Sequence, residues 1–461
     1  MMLLSQAAQP LGGKLSGPDV RFNAVSTDSR TVAAGDLFVA LQGERFDGSA
    51  FAAAAIQCGA AGAMINADRF ITLSASGITL PLLLVEDTRI ALGKLAAHWR
   101  AQFSVPVAAV TGSNGKTTVK EMLASILREA AGNSQAVLAT RGNLNNDIGM
   151  PLTLLQLRAT HRYAVIEMGM NHSGEIDYLT RLAQPDVAIV NNASGAHLAG
   201  LGSVEAVARA KGEIFSGLPA NGIAVINADD EFAPLWRARA GHAVMDFGLD
   251  NPAAIRAQWQ VQGYGARLSV NTPAGGFHAD LQVPGEHNVR NALAATAAAV
   301  AMNIALPSIA AGLEKFSGVA GRLQRKPALR DAVLIDDTYN ANPASLRSAI
   351  KVLMQSAGRK ILVLGDMGEL GGDAARLHGE IGAEARQMGV NELLALGELS
   401  KHAVREFGAG ACHFEHIEDL LAALDMDLDA DSTVLVKGSR FMKMERVVQH
   451  LTAGEATCCS H

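Results

Sequence analysis

Cysteine is scarce in this chain of 461 residues, with only Cys58, Cys412, Cys458 and Cys459. They form no C-x-x-C pair and no framework of a small domain, so they read as reduced thiols of a cytoplasmic protein. Positive charge is not in excess: 39 Lys and Arg stand against 45 Asp and Glu, a net charge of −6. That leaves no electrostatic footprint for nucleic acid or anionic lipid. No apolar run reaches the ~20 residues of a membrane span. The most apolar stretch, NALAATAAAVAMNIAL from Asn291 to Leu306, is alanine-rich and predicts a buried helix. The first residues, MMLLSQAAQPLGGKL, carry no basic segment ahead of their short apolar start, which argues against a signal peptide. The remainder, 49% apolar and 18% charged, is the composition of a soluble globular enzyme, and the length suggests two to four domains.

Three blocks follow from the patterning. Residues 1–85 mix short strand-like runs (DLFVAL, GAMI, LPLLLV) with the helix candidate GSAFAAAAIQCGA. DTRIALGKLAAHWRAQF has helical spacing and leads into a second block, 86–325. There VPVAAVTG, YAVIEMG, DVAIVNN and GIAVINADD alternate with helical runs. Short, nearly continuous apolar strands of this kind suit a parallel sheet covered on both faces, so the block predicts a doubly wound α/β domain. The third block, 326–461, repeats the alternation with AVLIDD, KILVLGDM, ELLALG and STVLVKGS and predicts a smaller Rossmann-like domain.

The stretch VTGSNGKTTVKEML, Val110 to Leu123, carries the chemistry. A strict phosphate loop reads G-x-x-x-x-G-K-[ST], and its first glycine would fall at Val110. The rest of the pattern is present. VPVAAVTG reads as a strand, and Val119, Met122, Leu123, Ile126 and Leu127 keep the spacing of one helix face. The turn between them can present backbone N–H groups and a helix N-terminus to an anion. Lys116 would supply charge at the outer phosphates, and the Thr117 hydroxyl can ligate Mg²⁺. A glycine-rich turn with an exposed lysine is the competing interpretation, and the strand–turn–helix context disfavours it. Glu167, in AVIEMGM, adds a carboxylate at a strand end where burial without a cation is costly.

TGSNGKTT resembles the variant phosphate loop of the Mur ligase superfamily, and further segments agree in order. STDSRTVAAGDLFVALQGERFDG (Ser26 to Gly48) is similar to the family's UDP-recognition segment. TRGNLNNDIGMPLTLL resembles its Asn-rich substrate loop, and GEHNVRNALAA its adenine-side signature. GVAGRLQR and LIDDTYNANPASL resemble the boundary and start of its C-terminal domain. YNANP, followed by LGDMGELG, is most similar to the last ligase of the series. The resemblance implies three α/β domains: an N-terminal UDP-binding domain, a central ATP-binding domain and a C-terminal acceptor-binding domain. It implies a cytoplasmic, monomeric enzyme that uses ATP and Mg²⁺ to join D-Ala-D-Ala to UDP-N-acetylmuramoyl-tripeptide through an acyl phosphate.

Site residues follow from the same resemblance. Thr111, Gly112, Ser113, Asn114, Gly115, Lys116, Thr117 and Thr118 would cradle the ATP phosphates. Asn291 would read adenine; Asn288 would do so too, or else cap its helix. Arg322 would contact phosphate, and Asp337 would accept ribose hydroxyls. Metal ligands would be Thr117, Glu167, His197 in the loop ASGAHLAGLGS, and Lys211. In several relatives a lysine at this last position is carbamylated; an ordinary solvated helix lysine is equally open here. Lys116, His197 and Lys211 would thus form the catalytic set. Ser29 and Arg30 would contact the uridine diphosphate. Asn143, Asn145 and Asn146 would grip the UDP-muramyl peptide, with Asn340 and Asn342 near the incoming dipeptide.

Rival possibilities are the preceding ligase of the series, a folylpolyglutamate synthetase, an ATPase switch and a non-catalytic UDP-sugar binder. The preceding ligase carries an acidic-Asn-Pro-Arg motif that this chain lacks where YNANP stands. The folate enzyme is disfavoured by the UDP-like first block.

Overall fold

The computed structural model describes residues 1–43, 46–70, 80–194, 201–241 and 243–453. Three sheets dominate it. A five-stranded sheet runs Lys14–Ser16, Leu82–Val85, Gly62–Asn66, Asp36–Val39, Ala24–Ser26, parallel except for its first pair. Each short apolar run of the first block thus becomes a strand. GSAFAAAAIQCGA forms a 3₁₀ turn, Gly48–Phe51, and a helix, Ala52–Gln57.

The helix Thr88–Arg100 starts at Asp87, whose carboxylate accepts from the backbone N–H groups of Arg89 and Ile90. Its apolar face, with Leu92, Leu95 and Trp99, shares one core with Leu4, Leu37 and Met64 of the first sheet and with Val107 and Ile166 of the second. This helix therefore fastens the first domain to the second through packing.

The central sheet has nine strands, in the order Val137–Ala139, Tyr163–Glu167, Val107–Thr111, Val187–Val190, Ile223–Asn227, Ala243–Gly248, Ile255–Gln262, Gly265–Thr272, Gly275–Leu281. The first seven are parallel and the last two add antiparallel hairpins. The strand that leads into the phosphate loop lies between Tyr163–Glu167 and Val187–Val190. The chain visits one side of it and then the other, so the loop lies at the topological switch point, where ligands bind in open α/β sheets. The helix Lys116–Ala131 buries Val119, Met122, Leu123, Ile126 and Leu127 completely. Each such side chain stabilises the packing by about 1.5–3 kcal/mol. The helix Leu306–Lys315 crosses it closely at Gly312, where a Cβ would lie 2.3 Å from the Ile126 Cα. The alanine-rich segment forms the helix Glu286–Ala301, buried along most of its length.

The hairpin strands 255–281 escaped the sequence patterning. Their alternation is real: Ala266, Leu268 and Val270 are buried while Arg267 and Asn271 are exposed. Their polar face nevertheless makes the segment resemble loop composition.

The third sheet has six strands, in the order Gln324–Pro327, Val333–Asp337, Ser432–Lys437, Arg359–Gly365, Glu392–Leu396, Ala411–Phe414, parallel after an antiparallel first pair. Leu362 and Leu364 face one core and Ile361 and Val363 the other. No helix among the described residues is long and apolar enough to cross a membrane.

Candidate active site at the junction of the second and third domains

A cleft of about 1450 Å³ opens where the phosphate loop faces the third sheet. Val110, where the strict motif has glycine, is buried strand paired with Glu167 and Ile189. The strand runs on through Thr111, so the turn begins at Gly112. Gly115 then takes a left-handed conformation, φ 79°, and caps the helix Lys116–Ala131. A Cβ there would lie 2.3 Å from Asn291 Oδ1 and 2.6 Å from Asn191 Nδ2, so only glycine fits.

Asparagines hold the loop. Asn191 and Asn192 follow the strand Val187–Val190. Both donate from Nδ2 to the Asn114 carbonyl at 3.0 Å, and Asn192 Oδ1 accepts from the Asn114 N–H at 2.8 Å. Asn191 also donates to Asn291 Oδ1 at 2.9 Å, and Asn291 to Asn288 Oδ1 at 3.2 Å. Asn288 donates to the Pro284 carbonyl at 2.7 Å, and the helix cap is Gly285, so Asn288 does not cap. Thr111 donates from Oγ1 to the Met168 carbonyl at 2.9 Å, tying two strand ends together behind the loop. Asn191 and Asn192 were not singled out from sequence, although their place at the end of a central parallel strand was a usable signal.

Cationic groups converge on this loop. Lys116 folds onto it, donating from Nζ to the Gly112 carbonyl at 2.6 Å. Burial lowers its pKa; Arg322 adds to that effect while Glu167 and Glu369 oppose it. Arg322 donates from Nη2 to Thr117 Oγ1 at 3.0 Å, stacks over Tyr339 with 4.3 Å from Cζ to the ring centroid, and keeps a buried Nε without a hydrogen-bond partner among the described residues. Lys211 ends the helix Val204–Lys211 and is only 1% exposed, so it is not a solvated surface lysine. Burial lowers its pKa well below the ordinary value, and repulsion from Lys116 adds to this. Lys211 does not line the cleft.

Glu167 is the counterpart. It is 2% exposed, and its Oε1 accepts from Asn145 Nδ2 at 2.8 Å. Its Oε2 is buried with no hydrogen-bond partner among the described residues. A buried, unpaired carboxylate oxygen in the cleft that Thr117 also lines is a hard-oxygen donor of the kind Mg²⁺ takes, so these two residues fit that ion. No group of three or more His, Cys, Asp or Glu side chains suited to a metal occurs among the described residues. Mg²⁺ normally completes its shell with water and phosphate oxygens. His197, expected as a further ligand, lies outside the described residues.

The other expected residues divide. Asn146 lines the cleft but accepts from the Gly149 N–H at 2.8 Å, shaping the turn into the helix Gly149–Leu154. Asn143 is exposed and away from the cleft wall. Asn340 lines the cleft, with its Oδ1 taken by the Ala341 N–H at 2.9 Å. Asn342 caps the helix Pro343–Leu353 and also donates to Asn114 Oδ1 at 2.8 Å. Asp337 lines the cleft, but its Oδ2 accepts from Lys437 Nζ at 2.5 Å. A ribose hydroxyl would share that carboxylate with a buried ammonium. No residue of block 1–85 lines the cleft among the described residues. Ser29 and Arg30 lie elsewhere, with Arg30 exposed and bidentate to Asp28.

A phosphate loop at a switch point, faced by a second α/β domain, defines a nucleotide-binding class of enzyme, and sequence comparison gives its family. Residues 21–100 match the model described as Mur ligase family, catalytic domain; 110–299 match the Mur ligase middle domain; and 321–440 match the Mur ligase, glutamate ligase domain. The chain belongs to the Mur ligase family. It is 43% identical over 460 residues to the UDP-N-acetylmuramoyl-tripeptide–D-alanyl-D-alanine ligase of Escherichia coli K12, covering 97% of this chain and 98% of that one. A crystal structure of MurF from Acinetobacter baumannii superposes with a TM-score of 0.88 at 37% identity, covering 96% of this chain and 97% of that one. MurF from Thermotoga maritima in complex with ADP gives 0.79 at 26% identity, covering 93% and 96%.

Proposed function

We infer that this chain is an ATP-dependent ligase that joins D-Ala-D-Ala to UDP-N-acetylmuramoyl-tripeptide, forming ADP and phosphate. The observation that carries the inference is the loop Gly112–Thr117 at the switch point, with Lys116 on it and the unpaired Glu167 Oε2 beside it. Relatives with this reaction in their names align over nearly the whole chain.

The physical problem is to bring a substrate carboxylate to a triphosphate. Backbone N–H groups at the start of the helix Lys116–Ala131 and the charges of Lys116 and Arg322 are arranged to stabilise the polyanion. Thr117 and Glu167 would hold Mg²⁺, which supplies the remaining positive charge between the two anions. The tripeptide's terminal carboxylate takes the γ-phosphoryl group and ADP leaves. The dipeptide's neutral amine then attacks the acyl carbon, phosphate departs, and the amine's proton is lost to base. In this scheme the second and third domains close on each other around the nucleotide.

Several assignments belong to this proposal. Ser29 and Arg30 contact the uridine diphosphate, Asn143 and Asn146 the muramyl peptide, and Asn288 and Asn291 the adenine side. Asn145 orients Glu167, supported by their hydrogen bond at 2.8 Å. Lys211 is carbamylated and His197 ligates the metal. The depressed basicity of Lys211 supports the first of these, because free amine is the form that captures carbon dioxide. The division at 1–85, 86–325 and 326–461 gives UDP-binding, ATP-binding and acceptor-binding domains. In this reading the enzyme acts as a cytoplasmic monomer.

The test is product formation. The purified chain with ATP, Mg²⁺, UDP-N-acetylmuramoyl-tripeptide and D-Ala-D-Ala should yield a pentapeptide product heavier by the dipeptide less one water. Lys116→Ala should yield none. Product from Lys116→Ala at the parent rate would refute the proposal.

A further inference from the structure

Asn342 does two jobs with one amide. Its Oδ1 accepts from the Ser345 N–H at 2.9 Å, and its own N–H donates to Ser345 Oγ at 3.1 Å, a reciprocal cap on the helix Pro343–Leu353. Capping needs only the oxygen, and Ser, Thr or Asp would serve there as well. Because the oxygen is committed to the cap, the NH₂ group points away from the helix. It crosses the cleft to Asn114 Oδ1 at 2.8 Å.

Asn114 is fixed from its own side. Its N–H, carbonyl and Nδ2 are bonded to Asn192 at 2.8 and 3.0 Å, Asn191 at 3.0 Å and Ser194 Oγ at 3.0 Å. Only Oδ1 is left for the third domain. The phosphate loop therefore presents one rigidly aimed acceptor, and the third domain meets it with one rigidly aimed donor.

We propose that Asn342 is a positioning residue. Its hydrogen bond to Asn114 registers the acceptor-binding domain on the phosphate loop, so that the dipeptide amine reaches the acyl carbon only when the two are docked. The inference rests on the ligase reaction proposed above. Asn342 is placed here to act through Asn114, and the earlier expectation of a direct dipeptide contact is not needed to explain its geometry.

Asn342→Ser keeps the cap oxygen and removes the reaching NH₂. The expected result is a fall of about tenfold in kcat/KM for D-Ala-D-Ala, the worth of one well-formed hydrogen bond. Affinity for ADP stays within twofold, because Asn114 keeps its bonds inside the second domain. The melting temperature is unchanged; if Ser lowers it, Asn342→Thr takes its place as the alternative cap. Asn114→Ala should also lower kcat/KM, and the double variant should be no slower than the slower single variant. In small-angle scattering with a non-hydrolysable ATP analogue, the parent chain should contract and Asn342→Ser should contract less.

Values for the cap-retaining variant within twofold of the parent, or single effects that multiply in the double variant, would overturn the proposal. If the parent itself shows no dipeptide-dependent turnover, the reaction is misassigned. The scattering comparison needs only nucleotide and still decides the role of Asn342: equal contraction in parent and variant refutes it.

Discussion

Arg322 Nη2 donates to Thr117 Oγ1 at 3.0 Å, so a residue of the connection into the third domain rests on the last residue of the phosphate loop. The guanidinium lies on Tyr339, and its Nε is buried and unpaired. An arginine so placed keeps a buried Nε donor without a hydrogen-bond partner among the described residues, although the Asp337 carboxylate feels its charge. Phosphate oxygens would satisfy it with fork geometry. Arg322→Met should keep the packing on Tyr339 and remove the charge. ATP-dependent turnover is expected to fall by about 10²–10³-fold with no loss of melting temperature. Steady-state kinetics with thermal melts checks both halves.

Glu167 gives a prediction in which stability and activity part company. An unpaired buried carboxylate oxygen costs free energy until a cation meets it. Glu167→Gln keeps an oxygen for Asn145 and removes the charge. The metal-free protein should melt at the same temperature or higher, while the Mg²⁺ concentration for half-maximal activity rises at least tenfold. A Mg²⁺ titration of activity, run beside melts in chelator, tests this.

Lys211 should make activity depend on carbon dioxide. Its amine is buried and less basic than usual. Enzyme stripped of bicarbonate is expected to lose most of its activity near pH 7 and regain it when bicarbonate is added. Lys211→Met should be inactive and indifferent to bicarbonate. Intact mass under non-acidic conditions should show the added carboxyl group on the parent chain only.

His287 supplies a pH effect. It lines the cleft near Lys437; burial lowers its pKa from 6.5 to about 4, Lys437 adds to the shift and Glu286 opposes it. Between these values the unfolded chain binds a proton that the folded chain refuses. Stability therefore falls as pH drops from 6.5 towards 4 and is unaffected by this group above 6.5. A shift of that size would carry ~3.4 kcal/mol if the ring were fully enclosed. It is partly open to solvent, so about 2 kcal/mol is expected. Denaturant melts of His287→Gln across that pH range should show a flatter acid limb than the parent.

Much of this was legible in the residues because period and punctuation carry it. Buried parallel strands such as VAAVT and YAVIE are continuous apolar runs, and the helix after the loop keeps a clean apolar face. Glu167 stood out because a charge inside an apolar strand needs a reason. The roles of the asparagines were less legible. Asn145, Asn146 and Asn342 look alike in sequence as polar loop residues, yet one holds a carboxylate, one shapes a turn and one bridges two domains. Asn145 and Asn342 find their partners 22 and 228 residues away, which no local pattern encodes, whereas Asn146 bonds within its own turn. The pairing of Asp337 with Lys437, 100 residues on, was hidden for the same reason.

The central claim is that one anion is brought to another on the Gly112–Thr117 loop and the energy is used to make an amide. The most direct measurement is phosphate release from ATP with UDP-N-acetylmuramoyl-tripeptide and D-Ala-D-Ala, each present or withheld. Sustained release, one phosphate per peptide bond, is expected only when both substrates are present. Steady ATP turnover with neither substrate, or release indifferent to the dipeptide, would contradict it.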